Sequence, residues 1–148
     1  MTGPVFVDTN VLVYFRDARD KAKHERAREW LAFLWETRRG RVSRQVLHEY
    51  YVAVTRKLKP GLTEEEARSD VRALFLWLSA LPPDAMIEAA WVLQDACSVS
   101  FWDALILAAA QAMGCDVVLS EDLPAGQEME GMRIVNPSAV RPAGLAEP

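Results

Sequence analysis

Two short apolar segments, each followed by an acidic residue, constrain the fold of this chain more than any other feature. The segment at 5–7 leads directly into Asp8, and the segment at 116–120 leads into Glu121 and Asp122. Neither segment alternates apolar with polar residues, which is typical of parallel strands covered on both faces. Ligands of an open α/β sheet bind outside the carboxyl ends of its strands. The sequence therefore predicts that two strands deliver carboxylates to one crevice.

Helical spacing of apolar residues dominates the rest of the chain. It predicts a first helix capped by Thr9 or Asn10, a second at about 24–37 that ends at Gly40, and further helices. The further helices are predicted at 44–58, 63–79, after 84 to about 96, and 100–114, and the strands at 3–7, 116–120 and 132–135. Residues 41–43 could add a very short strand, and 80–86 hold no convincing one. The predicted class is α/β, a small parallel β-sheet sandwiched between helical layers.

The length of 148 residues predicts one domain, at 1–137, followed by a loose tail at 138–148 that is rich in Pro, Ala and Gly. No apolar run approaches the length of a membrane span, and the start of the chain carries no export signal. A cytoplasmic protein with no membrane partner is therefore expected. Cys97 and Cys115 fit neither a disulfide framework nor a metal motif, and we interpret them as core residues.

The net charge of −4 is unevenly distributed along the chain. Residues 1–60 carry a net charge of +6, whereas residues 61–148 carry −10. A basic half suggests a polyanionic partner, although runs of charge are more often solvated helix faces. The overall acidity argues against tight binding to DNA that is blind to sequence.

Two further acids, Glu49 and Asp103, are candidates for the same crevice. Glu49 falls at the edge of the apolar arc of the helix at 44–58, and its alternative is a solvated carboxylate bonded to Gln45. Asp103 follows Ser100 by three residues, so its alternative is a reciprocal helix cap. The helix beyond Asp103 is apolar on all sides and hence buried, and an acid at its mouth needs a partner or a metal.

Four carboxylates in one crevice repel one another unless a cation neutralises them, and hard oxygen ligands suit Mg²⁺ or Mn²⁺. The strand-end acids have simpler interpretations too. A helix cap would account for Asp8, and a polar turn would account for Asp122. His48 is expected to face a different way from Glu49 on its helix and to be a surface or satisfied residue. These local interpretations explain each acid separately but do not explain a convergence of all four. That convergence is our hypothesis.

Four short motifs in this order resemble the PIN-domain family, and specifically toxin ribonucleases of the VapC type. They are the Asp8-Thr9-Asn10 run, an isolated Glu on the third helix, the run from Ser100 to Ile106, and the run from Leu119 to Leu123. The trailing glycines and Asn136-Pro137 are also similar to bacterial members, and the resemblance covers about 4–137. It implies metal-dependent cleavage of RNA by Asp8, Glu49, Asp103 and Asp122.

The same resemblance implies supporting roles for Asn10 and Ser120, a homodimer and a small antitoxin partner that blocks the site. Glu121 departs from family members with a neutral residue there, and its role stays open. Two other hypotheses remain: Mg²⁺-dependent phosphoryl transfer with Asp8 as nucleophile, and a catalytically silent RNA- or protein-binding scaffold. Phosphoryl transfer is disfavoured because no Lys is found near a predicted strand end. A Rossmann domain is disfavoured because no Gly-rich loop follows the first strand.

Overall fold

The computed structural model describes residues 3–146 and contains a five-stranded, mostly parallel sheet with the strand order β2-β1-β3-β5-β4. The strands are β1 (Val5–Val7), β2 (Gly40–Arg41), β3 (Val117–Leu119), β4 (Glu128–Met129) and β5 (Met132–Val135). The α-helices are α1 (Thr9–Arg16), α2 (Lys21–Thr37), α3 (Arg44–Val52), α4 (Glu64–Leu74), α5 (Pro83–Ala96) and α6 (Phe101–Ala112). Helices flank this sheet, so the predicted three-layer α/β/α class is confirmed.

The three central strands run parallel and end at the same edge of the sheet. Val7 pairs with Leu119 on β3, and Leu119 pairs with Val135 on β5. All residues of β1 and β3 are buried, as expected for strands covered on both faces. The backbone N–H of Asp8 donates to the Leu119 carbonyl at 2.9 Å, and that of Ser120 donates to the Val135 carbonyl at 3.0 Å. The ladder thus places the side chains that follow β1 and β3 next to each other.

The edge of the sheet differs from the prediction of a wholly parallel arrangement. β4 and β5 form an antiparallel hairpin whose turn has two positive φ angles, 50° at Glu130 and 86° at Gly131. Two consecutive positive φ angles define the tight turn that matches the twist of paired strands, and Asn-Gly is its usual signature. This signature is absent from the sequence because a glutamate, Glu130, occupies the first turn position.

Side-chain caps fix the first two helices at positions that differ from the prediction. Asp8, rather than Thr9 or Asn10, caps α1 by accepting the Thr9 N–H at 2.8 Å. Asp20 caps α2 by accepting the Lys23 N–H at 3.2 Å, so this helix starts earlier than predicted. Arg38, with φ of 59°, ends α2 in the left-handed conformation, so the prediction that Gly40 ends it is wrong.

Gly40 is required in β2 because an aromatic ring lies against its backbone. A Cβ atom at this position would lie 2.5 Å from two ring atoms of Trp77. Trp77 is almost fully buried, and its carbonyl accepts the Val42 N–H at 3.0 Å. The neighbouring Leu78 forms a single parallel bridge with Val42. Within residues 3–146 this is the only isolated bridge, and it lies just before segment 80–86, for which the sequence predicts no convincing strand.

The predicted helix at 44–58 has two parts in the structure. α3 continues into a π-helical turn at Ala53–Lys57, and α4 ends in a 3-10 turn at Phe75–Trp77. A π turn contains more residues per turn than an α-helix, so it changes the direction in which later side chains point. Apolar periodicity alone does not predict this change.

The tail that the sequence predicts to be loose packs against α2 over its described part. The Trp30 Nε1–H donates to the Val140 carbonyl at 2.8 Å, and Leu145 is only 1% exposed. A buried indole needs a hydrogen-bond acceptor, and the tail supplies it. Over residues 3–146 no single helix is both long and apolar enough for a membrane span, and α5 with α6 pass that test only as a pair bent by 113°.

Replacing Gly40 with Ala should lower the free energy of unfolding by about 1–3 kcal/mol, the usual cost of overpacking a filled interior. The reason is that the Trp77 ring would have to move out of a buried position. Urea denaturation of Gly40→Ala measures this loss. Gly3→Ala is the matched control, because its new Cβ would meet its nearest atom at an ordinary 3.4 Å. Equal stability of the two variants would contradict the steric argument.

Candidate functional site

All four acids predicted to share a crevice line one open cleft of about 530 Å³ in the structure. Asp8 follows β1, Asp122 follows β3, Glu49 lies on α3 and Asp103 lies in the first turn of α6. Four separate elements therefore deliver one carboxylate each to the carboxyl edge of the sheet. Asn10 also lines this cleft, which we call the acidic cleft.

Asp8 is the deepest of the four acids, with 8% of its surface exposed. Its Oδ1 accepts the Thr9 N–H, and its Oδ2 accepts the Ser120 hydroxyl, both at 2.8 Å. Burial raises the pKa of the Asp8 carboxyl above its ordinary value, the bonds from Ser120 and Thr9 oppose this, and the charges of Glu49 and Asp122 add to it. The ionised carboxylate is therefore less favourable at this position than in water.

Asn10 connects the carboxylates that follow the two strands. Its Nδ2 lies 3.3 Å from Asp8 Oδ2 and 3.2 Å from Asp122 Oδ2, within reach of both as a donor. Its Oδ1 accepts the Glu121 N–H at 3.0 Å, which sets the direction in which the amide points. The backbone thus orients Asn10, and Asn10 in turn holds two mutually repelling acids near each other.

Ser120 organises the same corner from below. Its hydroxyl donates to Asp8 and accepts the N–H groups of Asp122 at 3.2 Å and Leu123 at 3.1 Å. The residue is fully buried, so water does not compete for these bonds. The two residues predicted to support the site, Asn10 and Ser120, are the ones that make these connections.

Glu49 is bonded to the first residue of α1 from the opposite wall of the cleft. Its Oε2 accepts the Thr9 hydroxyl at 2.8 Å, and its Oε1 accepts the Gln45 amide at 2.9 Å. The Gln45 contact that offered a simpler interpretation of Glu49 is therefore present, and it coexists with a position in the cleft. Gln45 Nε2 also lies 3.3 Å from the Trp102 carbonyl, which links α3 to the start of α6.

Asp103 combines a capping role of its backbone with a side chain in the cleft. Its N–H donates to Ser100 Oγ at 3.1 Å, so the serine half of the predicted cap is present. Its carboxylate lines the acidic cleft together with the other three acids. The capping alternative and the site hypothesis are compatible for this residue.

Oxygen donors in this cleft fit a hard divalent cation by chemical type, since carboxylates suit Mg²⁺ or Mn²⁺ better than a soft metal. Among residues 3–146, no three His, Cys, Asp or Glu side chains already form a compact metal-binding group. Asp8 and Asp122 nevertheless approach one amide nitrogen, and Glu49 is exposed, so its carboxylate can move without disturbing the core.

Basic side chains at this cleft were not predicted from the sequence. Lys57, at the end of the π turn, and His48, on α3, both line it. The argument that no Lys lies near the strand ends is therefore wrong. His48 is exposed, as expected for a surface residue, and it lines the rim of this cleft. The acid-bearing motifs gave no signal for Lys57, because the π turn changes its direction.

Glu121, whose role the sequence leaves open, is bound outside the four-acid group. Its Oε1 accepts Lys23 Nζ at 2.7 Å and the Tyr14 hydroxyl at 3.3 Å. Of the two adjacent acids after β3, Asp122 therefore lines the cleft and Glu121 pairs with α2. This ion pair fastens the loop after β3 to the helical layer.

The pKa of Asp8 leads to a pH dependence that can be measured without metal. Because the folded pKa is raised above 3.8, the folded state keeps a proton that the unfolded chain loses, so the contribution of Asp8 to wild-type stability falls as pH rises through this window. An asparagine at this position does not titrate. In EDTA, the stability of Asp8→Asn relative to the wild type should therefore increase from pH 4 upward and then level off.

Urea denaturation at several pH values between 4 and 8 measures this difference. The comparison at each pH removes every titration that the two proteins share. A difference that stays constant, or that shrinks as pH rises, would contradict an unfavourable charge at Asp8.

Comparison with known proteins agrees with the geometry. The PIN domain profile matches residues 5–123, whereas no protein with a curated description matches the chain. A toxin–antitoxin complex from Klebsiella pneumoniae has a similar structure, with a TM-score of 0.65, 18% identity and coverage of 90% of this chain and 97% of that one.

Two other solved structures are similar. VapC20 of Mycobacterium tuberculosis, described as a toxin that cleaves the sarcin–ricin loop, has a TM-score of 0.56 and 25% identity, over 80% of this chain and 91% of that one. The DNA-bound VapBC of Salmonella typhimurium has a TM-score of 0.59 and 22% identity, over 89% and 96%. The resemblance seen in the sequence motifs is thereby confirmed, and this chain belongs to the PIN domain family.

Proposed function

We propose that this protein is a metal-dependent endoribonuclease and the toxin subunit of a type II toxin–antitoxin pair. The observation that carries the proposal is the delivery of four carboxylates, from four separate elements, to one cleft at the carboxyl edge of the sheet. Membership of the PIN domain family supports nuclease chemistry. The similarity to a toxin described as cleaving the sarcin–ricin loop supports RNA as the substrate class.

Asp8, Asp103 and Asp122 are the proposed ligands of Mg²⁺ or Mn²⁺, and Glu49 either joins them or orients the attacking water. When bound, such an ion lowers the pKa of water and stabilises charge on the oxygens of the phosphodiester. Other residues of the cleft position these carboxylates. Asn10 and Ser120 hold the strand-end carboxylates, and the Thr9 hydroxyl holds Glu49.

A cation at the rim complements this acidic centre. Lys57 lines the cleft, so the phosphates beside the scissile bond can contact positive charge on the protein itself. A substrate that carries one negative charge per nucleotide is otherwise repelled by four carboxylates. The arrangement therefore suits a polyanion better than a small neutral substrate.

The contacts of Asp8 favour hydrolysis over phosphoryl transfer through an aspartyl phosphate. Both of its oxygens accept hydrogen bonds, and only 8% of its surface is exposed, so in-line attack by Asp8 on a phosphate is hindered. Such a reaction also needs a cation beside the phosphate, and Lys57 supplies one. The residues in the cleft therefore do not distinguish the two reactions, but the products do. A stable phosphorylated protein after incubation with a labelled phosphate donor would favour phosphoryl transfer.

Exposed tryptophans support the proposal of protein partners. Trp30 and Trp77 are buried, whereas Trp35 is 45%, Trp91 50% and Trp102 65% exposed. Trp35 lines an apolar groove of about 820 Å³ beside α2 and α4. Exposed aromatic side chains are enriched at protein interfaces, and we propose this groove for an antitoxin segment, consistent with the antitoxin complexes among the similar structures. A homodimer in the cytoplasm remains part of the proposal.

Asp122→Asn should lower RNA cleavage by at least about a hundredfold, and Asp8→Asn should do the same. Each removes a carboxylate from the proposed metal site, and metal stabilisation of the transition state is worth several kcal/mol at 1.36 kcal/mol per tenfold in rate. Cleavage of a labelled structured RNA with Mg²⁺ or Mn²⁺, and with EDTA, measures the effect.

Glu121→Gln is the matched control, because it changes the neighbouring acid, which pairs with Lys23 instead of lining the cleft with Asp122. It should retain activity within about threefold. Mn²⁺ should also raise the melting temperature of the wild type and of Glu121→Gln but not of Asp8→Asn. Undiminished cleavage by Asp8→Asn, or cleavage that EDTA does not affect, would refute the proposed site.

Expression of the chain alone in a bacterium should arrest growth, since an uninhibited ribonuclease depletes RNA that the cell needs. Growth curves of cells that express wild type, Asp122→Asn and Glu121→Gln test this, with protein levels compared by immunoblot. Arrest by wild type and Glu121→Gln, but not by Asp122→Asn, is the expected pattern. Active nuclease in vitro without arrest in cells would contradict the toxin role while leaving the nuclease in place.

A further inference from the structure

A second groove, of about 640 Å³, lies between α3 and α4 beside the acidic cleft. We propose that it binds the single-stranded RNA that extends from the cleavage site, with phosphates on its cations and bases on its aromatic rings. We call it the basic groove. This inference rests on the proposed ribonuclease function and adds to it the surface that recognises the substrate strand.

The two helices present matching rows of side chains to this groove. On α3 the row is Arg44, His48 and Tyr51, and on α4 with its 3-10 extension it is Arg68, Arg72 and Phe75. Each row has the spacing i, i+4 and i+7, which keeps the three side chains on one helix face. Each row thus consists of two basic residues followed by one aromatic ring.

Positive charge in the basic groove is accessible. All four of its basic residues are exposed, and the described residues that line it include no acid. Arg68 pairs with Glu64 at 2.9 Å, but both side chains are more than half exposed, and a pair of this kind is readily exchanged for a phosphate. This concentration of cations stands out in a chain whose net charge is −4.

Two acids of α4, Glu66 and Asp70, have partners outside the groove, which helps to leave its arginines accessible. Asp70 lies between Arg68 and Arg72 in sequence, yet it accepts from Arg16 at 2.6 Å and from the Tyr50 hydroxyl at 2.6 Å. Glu66 is held by the cap at Thr63. Glu64 is thus the α4 acid that pairs with an arginine of the groove, while Asp70 and Glu66 are bound to other residues.

Aromatic rings in the groove match the second chemical component of a nucleic acid. Phe75 is 53% exposed and Tyr51 is partly exposed, so both rings have a free face. Bases of single-stranded RNA stack on such rings without a need for a particular sequence, and Arg side chains add cation–π contacts. Cations alone would fit any polyanion, whereas cations interleaved with exposed rings fit a single strand.

Continuity with the acidic cleft favours RNA over an acidic protein segment. His48 and Val52 line both cavities, so one strand can pass from one into the other. An RNA strand has a phosphate that must reach the proposed metal among the carboxylates. An acidic peptide gains nothing from that continuation, because the four acids repel it.

The test uses a fluorescein-labelled 12-nucleotide single-stranded RNA and the full chain. Binding is measured by fluorescence anisotropy in EDTA over a range of salt concentrations, and cleavage of the same RNA is measured with Mn²⁺. Arg72→Ala and Phe75→Ala change the basic groove. Arg28→Ala is the matched control, because Arg28 is an exposed arginine that lines the apolar groove beside α2 instead.

Arg72→Ala should raise Kd and KM by about fivefold and reduce the slope of log K against log salt by about 0.7, the value for one phosphate contact on a single strand. Phe75→Ala should raise both constants by about fivefold or more with an unchanged salt slope, because stacking releases no counterion. Both variants should keep kcat within about twofold, and Arg28→Ala should match the wild type.

Three results would overturn the inference: no binding of the RNA by the wild type, equal binding by all variants, or equal losses in Arg28→Ala and Arg72→Ala. Tighter binding of a 12-residue poly-glutamate peptide than of the RNA, with the same sensitivity to Arg72→Ala, would also overturn it and assign the groove to a protein partner. If cleavage is normal and binding is insensitive to the variants, the RNA-binding role of the groove is refuted and the nuclease proposal stands. If binding is sensitive to the variants but no metal-dependent cleavage occurs, the nuclease proposal is refuted and the RNA-binding role of the groove stands.

Discussion

The hydrogen bond from the buried Ser120 hydroxyl to Asp8 is the contact on which the rest of the site depends. It joins the ends of two adjacent parallel strands, and the ladder between Val7 and Leu119 makes it possible. Ser120 also accepts two backbone N–H groups from the following loop, so the position of Asp122 follows from the same hydroxyl. A single small residue therefore sets where two of the four carboxylates stand.

The parts of this protein that could be predicted from the sequence are those with local causes. Residues 5–7 and 117–119 are short apolar runs without alternation, which fit strands covered on both faces, and the acid after each strand then reaches the carboxyl edge. Glu49 and Asp103 were located by the order of motifs within a family resemblance. The structure places all four in one cleft.

What the sequence did not reveal depends on contacts between distant segments. Gly40 looks like a helix terminator until Trp77 is seen against its backbone, and Glu130 does not resemble a residue of a tight hairpin turn. Lys57 faces the cleft after a π turn that apolar periodicity does not register. The tail packs because Trp30 needs an acceptor, a requirement that appears only once α2 is in place.

The amide of Asn10 has a consequence for which substitutions this family member tolerates. Aspartate has the same shape, but an acid at position 10 would replace a donor that serves two carboxylates with another negative charge, while still accepting the Glu121 N–H. Deamidation of this side chain, a spontaneous ageing reaction of proteins, would accordingly convert the bridge between two strand ends into a source of repulsion. The time for which the site keeps this geometry therefore depends on how long the side-chain amide of Asn10 remains intact.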